Sequence, residues 1–169
     1  MTRVHSFIPL ARSDATCLVL GSMPGQASLA AQQYYAHPRN YFWPFMELIF
    51  EIPPGLAYEQ RCEQLLDRRV AVWDVLSACT RSGSLDSDII EASIIPNDLR
   101  GFLELHGQVR RLFFNGAKAE SSFRRHVLPG LPDALRGRIH LQRLPSTSPA
   151  NASVPMAVKL SAWQQLLDG

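Results

Sequence analysis

The chain has no apolar run approaching the ~20 residues a membrane-spanning helix requires. Its opening stretch, Met1-Thr2-Arg3-Val4-His5-Ser6, lacks the long apolar core of an export signal. A soluble protein with no membrane partner is expected. Cysteine is scarce: Cys17, Cys62 and Cys79 are odd in number and lack the paired spacing of a disulfide framework or a zinc or iron-sulfur ligand set. That usage favours a reducing, bacterial-type cytoplasm. His106, His126 and His140 show no paired spacing with cysteines or carboxylates, so neither a metal nor another cofactor is expected. Strong charge is missing too. A formal net charge of +2 is too mild to announce a nucleic-acid partner, for which a local basic patch is what counts. No repeat, low-complexity tract or linker interrupts the 169 residues, 46% of them hydrophobic, and one domain over residues 1–169 is expected.

Four short apolar runs read as strands: Thr16 to Gly21, Val70 to Val75, Val109 to Asn115 and Arg138 to Leu144. Helical spacing occupies Tyr41 to Phe50, Leu56 to Asp67, Asp98 to Leu105, Ala117 to Val127 and Ser153 to Leu167. Strands alternating with helices imply right-handed βαβ units, hence a three-layer α/β/α domain around a mainly parallel four-stranded sheet. Asn97 is placed to cap the helix from Asp98, and Ser153 the last one, ahead of Val154-Pro155. Pro53-Pro54-Gly55 and Pro129-Gly130-Leu131-Pro132 read as turns.

Ligands of an open parallel sheet bind beyond the carboxyl ends of its strands. Those ends are Gly21-Ser22-Met23-Pro24-Gly25, Asp74 to Asp88, Asn115-Gly116 and Pro145 to Ser153. Glycines in the first of these let the backbone turn tightly and allow a ligand close to its amides, although such turns are mostly structural. Next comes Tyr34-Tyr35-Ala36-His37-Pro38-Arg39-Asn40-Tyr41-Phe42-Trp43, dense in aromatics. Phe42, Phe45, Met46 and Ile49 fall on one helical face and read as core. That leaves Tyr35, able to stack on a base, and Asn40, able to hold a water or a base edge. The last loop, Pro145-Ser146-Thr147-Ser148-Pro149-Ala150-Asn151, offers small hydroxyls that suit a phosphodiester backbone, or simply form a capped turn.

These segments, in this order, resemble the uracil-DNA glycosylase superfamily, which pairs a Gly-x-x-Pro loop after its first strand with a Pro/Ser-rich loop after its last. Tyr35 to Trp43 is similar to the aromatic-x-His-Pro-x-Asn-x-Phe-Trp signature of the mismatch-specific uracil and hypoxanthine branches. Ser146-Thr147-Ser148-Pro149-Ala150-Asn151 and Phe113-Phe114-Asn115-Gly116 are closer to the hypoxanthine branch. The resemblance spans about Thr16 to Leu167. It implies that fold and a monofunctional DNA glycosylase of base excision repair, a monomer acting on deaminated bases, chiefly hypoxanthine, in double-stranded DNA.

Met23 stands where most of the superfamily has a carboxylate or amide that handles the attacking water. The hypoxanthine branch also lacks a polar group there and is understood to use its His-Pro-x-Asn asparagine, which matches Asn40. Asparagine is no general base, so Asn40 would align water, with Asp74 a minor catalytic candidate. Gly21, Ser22, Met23, Pro24, Tyr35, His37 and Asn115 would bind the base, with Asn115 reading its Watson–Crick edge. Arg39 and residues Ser146, Thr147, Ser148, Pro149, Ala150 and Asn151 would contact DNA, and Lys118, Arg124, Arg125 and Arg143 are further phosphate candidates. Asp86 and Asp88 read as structural. The duplex wedge some relatives carry in the last loop finds only Ala150 and Asn151 here. Lacking a lysine in the two signature loops, the chain has no Schiff-base nucleophile there. Alternatives are uracil excision from mismatches, a non-catalytic nucleic-acid-binding module, and a small-molecule nucleotide-binding protein.

Overall fold

The computed structural model describes residues 2–168. Its strands are β1 (Thr2–His5), β2 (Cys17–Gly21), β3 (Val70–Asp74), β4 (Leu76–Arg81), β5 (Ile95–Pro96), β6 (Arg111–Asn115) and β7 (His140–Leu144). Its α-helices are α1 (Gln26–Ala31), α2 (Phe42–Phe50), α3 (Tyr58–Asp67), α4 (Leu99–Leu105), α5 (Ala117–His126), α6 (Asp133–Arg138) and α7 (Met156–Trp163).

The four apolar runs pair in the order β3-β2-β6-β7, all parallel, with Leu18 opposite Ala71 on one side and Leu112 on the other. Every residue of β2 and β3 is buried, the pattern a parallel sheet covered on both faces demands. Right-handed crossovers send α1 to α3 across one face and α4 to α6 across the other. Accordingly α4 packs on α6, and α7 returns to α2 through Trp163, edge-on to Phe42 at 6.0 Å. Connections from the neighbouring strands β2 and β6 leave in opposite directions. Their carboxyl ends therefore open a crevice, the place an open α/β sheet offers a ligand.

Three expectations are corrected. The stretch after Asp74 is not all loop: β4 joins β1 and β5 in a separate antiparallel sheet. The polar sequences Thr-Arg-Val-His and Leu-Ser-Ala-Cys-Thr-Arg carry no strong strand signal, and only long-range pairing makes them strands. The cap of α4 is Asp98, whose carboxylate accepts from the Gly101 N–H at 3.0 Å, while the Asn97 amide donates to the Asp74 carbonyl at 2.8 Å. Ser153 does not cap α7, which begins after Pro155 without a side-chain cap. Helices α1 and α6 add to the expected set.

Candidate active site

The crevice opens into a cavity of about 1600 Å³, beyond the few hundred a free nucleobase needs. Around it stand the Gly21–Gly25 segment, Tyr35, His37, Asn40, Asp74, residues 84–87, Asn115 and the last loop. The fold thus gathers at one place segments that sequence reading put at four separate strand ends.

Thr147 is the hub of this assembly. Its N–H donates to Asn115 Oδ1 (3.0 Å), its hydroxyl accepts from Asn115 Nδ2 (2.9 Å), and its carbonyl accepts from the Tyr41 N–H (3.0 Å). One buried residue therefore ties the end of β6, the last loop and the start of α2 together. It is 0% exposed, and its side chain is engaged with Asn115 inside the protein. Asn115, expected to read a base edge, keeps for a ligand only what the Thr147 latch leaves, one amide hydrogen and one lone pair. Replacing Thr147 by valine, of nearly equal shape, removes the acceptor and strands a buried amide N–H. Urea denaturation is expected to register a loss of about 1–3 kcal/mol.

Two more buried groups hold the last loop from beneath. The Trp163 indole donates to the Pro145 carbonyl at 2.8 Å, and the Lys159 ammonium to the Asn151 carbonyl at 2.7 Å. Burial pushes the Lys159 pKa down. Within the loop, Ser146 Oγ accepts from the Ser148 N–H and Ser148 Oγ from the Ala150 N–H. Each hydroxyl therefore keeps its own proton to donate outward, as a phosphate contact requires.

The His37–Asn40 segment is a tight turn in which the Asn40 N–H donates to the His37 carbonyl at 2.9 Å. Asn40 Oδ1 accepts from the Phe42 N–H (2.9 Å), which fixes the amide orientation and leaves Nδ2 to point its hydrogens elsewhere. His37 Nδ1 accepts from the Arg39 N–H (3.1 Å), so in the neutral ring the proton sits on Nε2, a donor. Tyr35 has a φ of +56°, uncommon for a bulky residue, and its ring stacks on Phe42 at 4.2 Å. One ring face is therefore committed to the core. Its hydroxyl is buried without a hydrogen-bond partner.

Gly21 and Gly25 were expected to permit a sharp turn, but among the described glycines only Gly55 and Gly116 have positive φ. Gly21 matters for space instead. A Cβ there would lie 2.6 Å from Asp74 Oδ1 and 2.9 Å from the Tyr35 hydroxyl. Among the described residues, none accepts from the backbone N–H groups of Ser22, Met23 or Gly25, which leaves donors free at the cavity wall. Met23 and Pro24 are buried here. Beneath them lies Arg81, also buried, with one guanidinium N–H on the Pro24 carbonyl at 2.6 Å and its Nε and second terminal nitrogen unpaired.

Asp74, 3% exposed, takes a hydrogen bond from the Ser6 hydroxyl at 2.7 Å. Burial raises its pKa to about 7 against the lowering effect of that bond and of Arg81, with Asp86 adding a further upward push. Asp86, read from sequence as structural, accepts from Ser22 Oγ at 2.5 Å and lines the cavity. Nothing local betrays it, because Ser22 lies 64 residues away along the chain. Buried Arg81 and Lys159 escaped sequence reading for the same reason.

Lys118 pairs with Glu91 at 2.7 Å, Arg125 with Glu91 at 3.4 Å, and Arg124 and Arg143 with Glu120 at 3.5 and 3.7 Å. Among the described residues Arg39 is exposed and has no ion-pair partner, which makes it the readiest phosphate contact of the five candidates. All three cysteines are buried and unpaired. Among the described residues no helix is long and apolar enough to cross a membrane, and no group of three potential metal ligands is assembled.

Comparison with known proteins places this geometry. The chain is 41% identical over 103 residues to a hypoxanthine DNA glycosylase of Methanosarcina acetivorans, a match covering 60% of the chain and 64% of that relative, just under two thirds of its length. It is 32% identical over 116 residues to a hypoxanthine DNA glycosylase of Methanosarcina barkeri, covering 68% of the chain and 72% of the relative. In three dimensions it is similar to a solution NMR structure of a Methanosarcina acetivorans protein assigned as a candidate uracil DNA glycosylase. The TM-score is 0.80 at 31% identity, over 98% of this chain and 96% of that one. No family model matches.

Proposed function

Because the chain belongs to the uracil-DNA glycosylase superfamily, in its hypoxanthine-DNA glycosylase branch, we propose that it hydrolyses the N-glycosidic bond of a flipped deaminated base in double-stranded DNA. Hypoxanthine is its chief substrate. The observation that carries the reading is that Tyr35, His37 and Asn40 share one cavity with the unpaired N–H groups of Ser22, Met23 and Gly25 and the hydroxyl-lined last loop.

Base excision breaks a C–N bond through a transition state with positive charge on the sugar and negative charge on the departing base. Free backbone donors at Ser22, Met23 and Gly25 suit the base anion, since preorganised N–H groups stabilise charge as it develops. The Nε2–H of His37 supplies another. Asn40 Nδ2 holds the attacking water by donating to its oxygen, and the remaining lone pair of Oδ1 accepts one of the water's hydrogens. Tyr35 walls the base on the side that Phe42 supports. Flipping costs a few kcal/mol and least at mispaired bases, which deaminated bases are.

The reaction is monofunctional in this reading. Lys118, the lysine in the cavity wall, holds its ammonium on Glu91, and Lys159 is spent on the Asn151 carbonyl. The reading includes a monomer acting on nucleoid DNA in the cytoplasm, and three unpaired buried cysteines suit that reducing compartment.

The test is incubation with duplex oligonucleotides carrying hypoxanthine, uracil or xanthine, followed by alkaline cleavage of abasic sites. Abasic sites at hypoxanthine, with no borohydride-trapped enzyme–DNA adduct, are the expected result. Tight binding with no abasic product at any of the three bases would overturn the enzyme reading in favour of a binding module. Uracil excision is the second reading, favoured by the assignment of the solved relative, and the same gel separates the two.

A further inference from the structure

The cavity's wall contains an exposed apolar side chain that its chemistry does not use. Of the described residues lining it, Leu85 is the one large apolar side chain left exposed, at 48%. Ile89 in the same lining is buried and Val154 half-buried. Leu85 is also rigidly presented. The Ser82–Asp88 excursion is closed at its base by a bridge between Arg81 and Ile89. On either side of Leu85 the loop is pinned to the first signature segment, by the Gln26 N–H on Ser84 Oγ at 2.9 Å and by Ser22 Oγ on Asp86 at 2.5 Å. An exposed leucine held between two such pins at the lip of a cavity has no packing reason to be there. The last loop brings no large exposed apolar side chain to the same cavity; its lining residues end in Pro149, Ala150 and Asn151.

Resting on the glycosylase reading above, we propose that Leu85 is the wedge that enters the base stack and holds the target nucleotide out of the duplex. Apolar side chains inserted between base steps offset the loss of stacking at a kinked or opened site. Leu85 meets that need from the loop after β4, in the wall of the same cavity. Its neighbour Asp86 is already engaged by Ser22, so the residue that leads into the stack is the uncharged one. Leu85 is thereby a positioning residue: it touches neither the water nor the glycosidic bond.

The experiment compares wild type, Leu85→Ala and Leu85→Met in single-turnover excision of hypoxanthine from paired duplex and from single-stranded DNA. A parallel measurement follows 2-aminopurine fluorescence beside the target on binding. Leu85→Ala is expected to lose about tenfold on duplex and nothing on single strand, to show a weaker fluorescence rise, and to be rescued by Leu85→Met. The position is exposed, so the variants fold as wild type does. An unchanged duplex-to-single-strand ratio with unchanged fluorescence overturns the proposal and assigns the exposed leucine to some other surface. A loss shared equally by both substrates overturns it as well. If wild type excises nothing from either substrate, the glycosylase reading fails, and the fluorescence comparison alone still decides whether Leu85 opens the duplex.

Discussion

Asn40→Ala is expected to lower the single-turnover rate of hypoxanthine excision by two to three orders of magnitude while costing only about 1 kcal/mol of stability. The two effects have separate origins in one side chain. Oδ1 accepts from the Phe42 N–H two residues on, a local turn bond just ahead of α2; removing a hydrogen bond of this kind costs about 1 kcal/mol. Nδ2, whose direction that bond sets, is the group available to the attacking water. Alanine deletes both. Asn40→Ser separates them, since a hydroxyl still accepts from a backbone N–H two residues on but cannot extend a donor as far into the cavity. Serine is thus expected to restore the melting temperature and not the rate. Retention of more than a third of the wild-type rate in Asn40→Ala would remove Asn40 from the mechanism and make Asp74 the first residue to test.

How far this site could be read beforehand follows from which contacts are local. The strands β2, β3 and β6 were legible because a fully buried parallel strand needs an unbroken apolar run, and Cys17-Leu18-Val19-Leu20 and Val70-Ala71-Val72-Trp73 are such runs. Tyr35, His37 and Asn40 were legible because one short segment carries all three. What escaped depends on pairs distant in sequence. β1 and β4 are polar stretches that become strands by pairing Arg3 with Thr80 and Val4 with Cys79. The Thr147 latch joins residues 32 positions apart, and nothing local in the sequence shows that the Thr147 hydroxyl accepts from the Asn115 amide. Gly21 was read as a turn residue, whereas its lack of a side chain makes room for Asp74 and Tyr35.

The second large effect is the pH dependence of stability that Asp74 imposes. Its pKa in the folded protein is raised to about 7 from 3.8, because burial disfavours the carboxylate and Asp86 adds to that, while Ser6 and Arg81 oppose it. The sign follows from linkage: the folded state holds the proton more tightly than the unfolded chain, so unfolding releases protons across this window. The contribution to stability is fully present below pH 4 and is lost progressively as pH rises to about 7. At full effect it amounts to as much as about 4 kcal/mol. Asp74→Asn retains an acceptor for the Ser6 hydroxyl and cannot ionise. Urea denaturation between pH 5 and 8 is therefore expected to show wild type weakening with rising pH and Asp74→Asn holding level. Equal slopes would mean that Asp74 ionises in the fold as freely as in the unfolded chain. The same variant assigns the chemical role of the carboxyl group. If wild-type excision falls as pH rises through 7 and Asp74→Asn flattens the profile at a high rate, the neutral acid serves the departing base, because a carboxylate beside Gly21 would repel the base anion. If excision instead rises through pH 7 and Asp74→Asn abolishes it, the carboxylate activates the water and Asn40 only positions it.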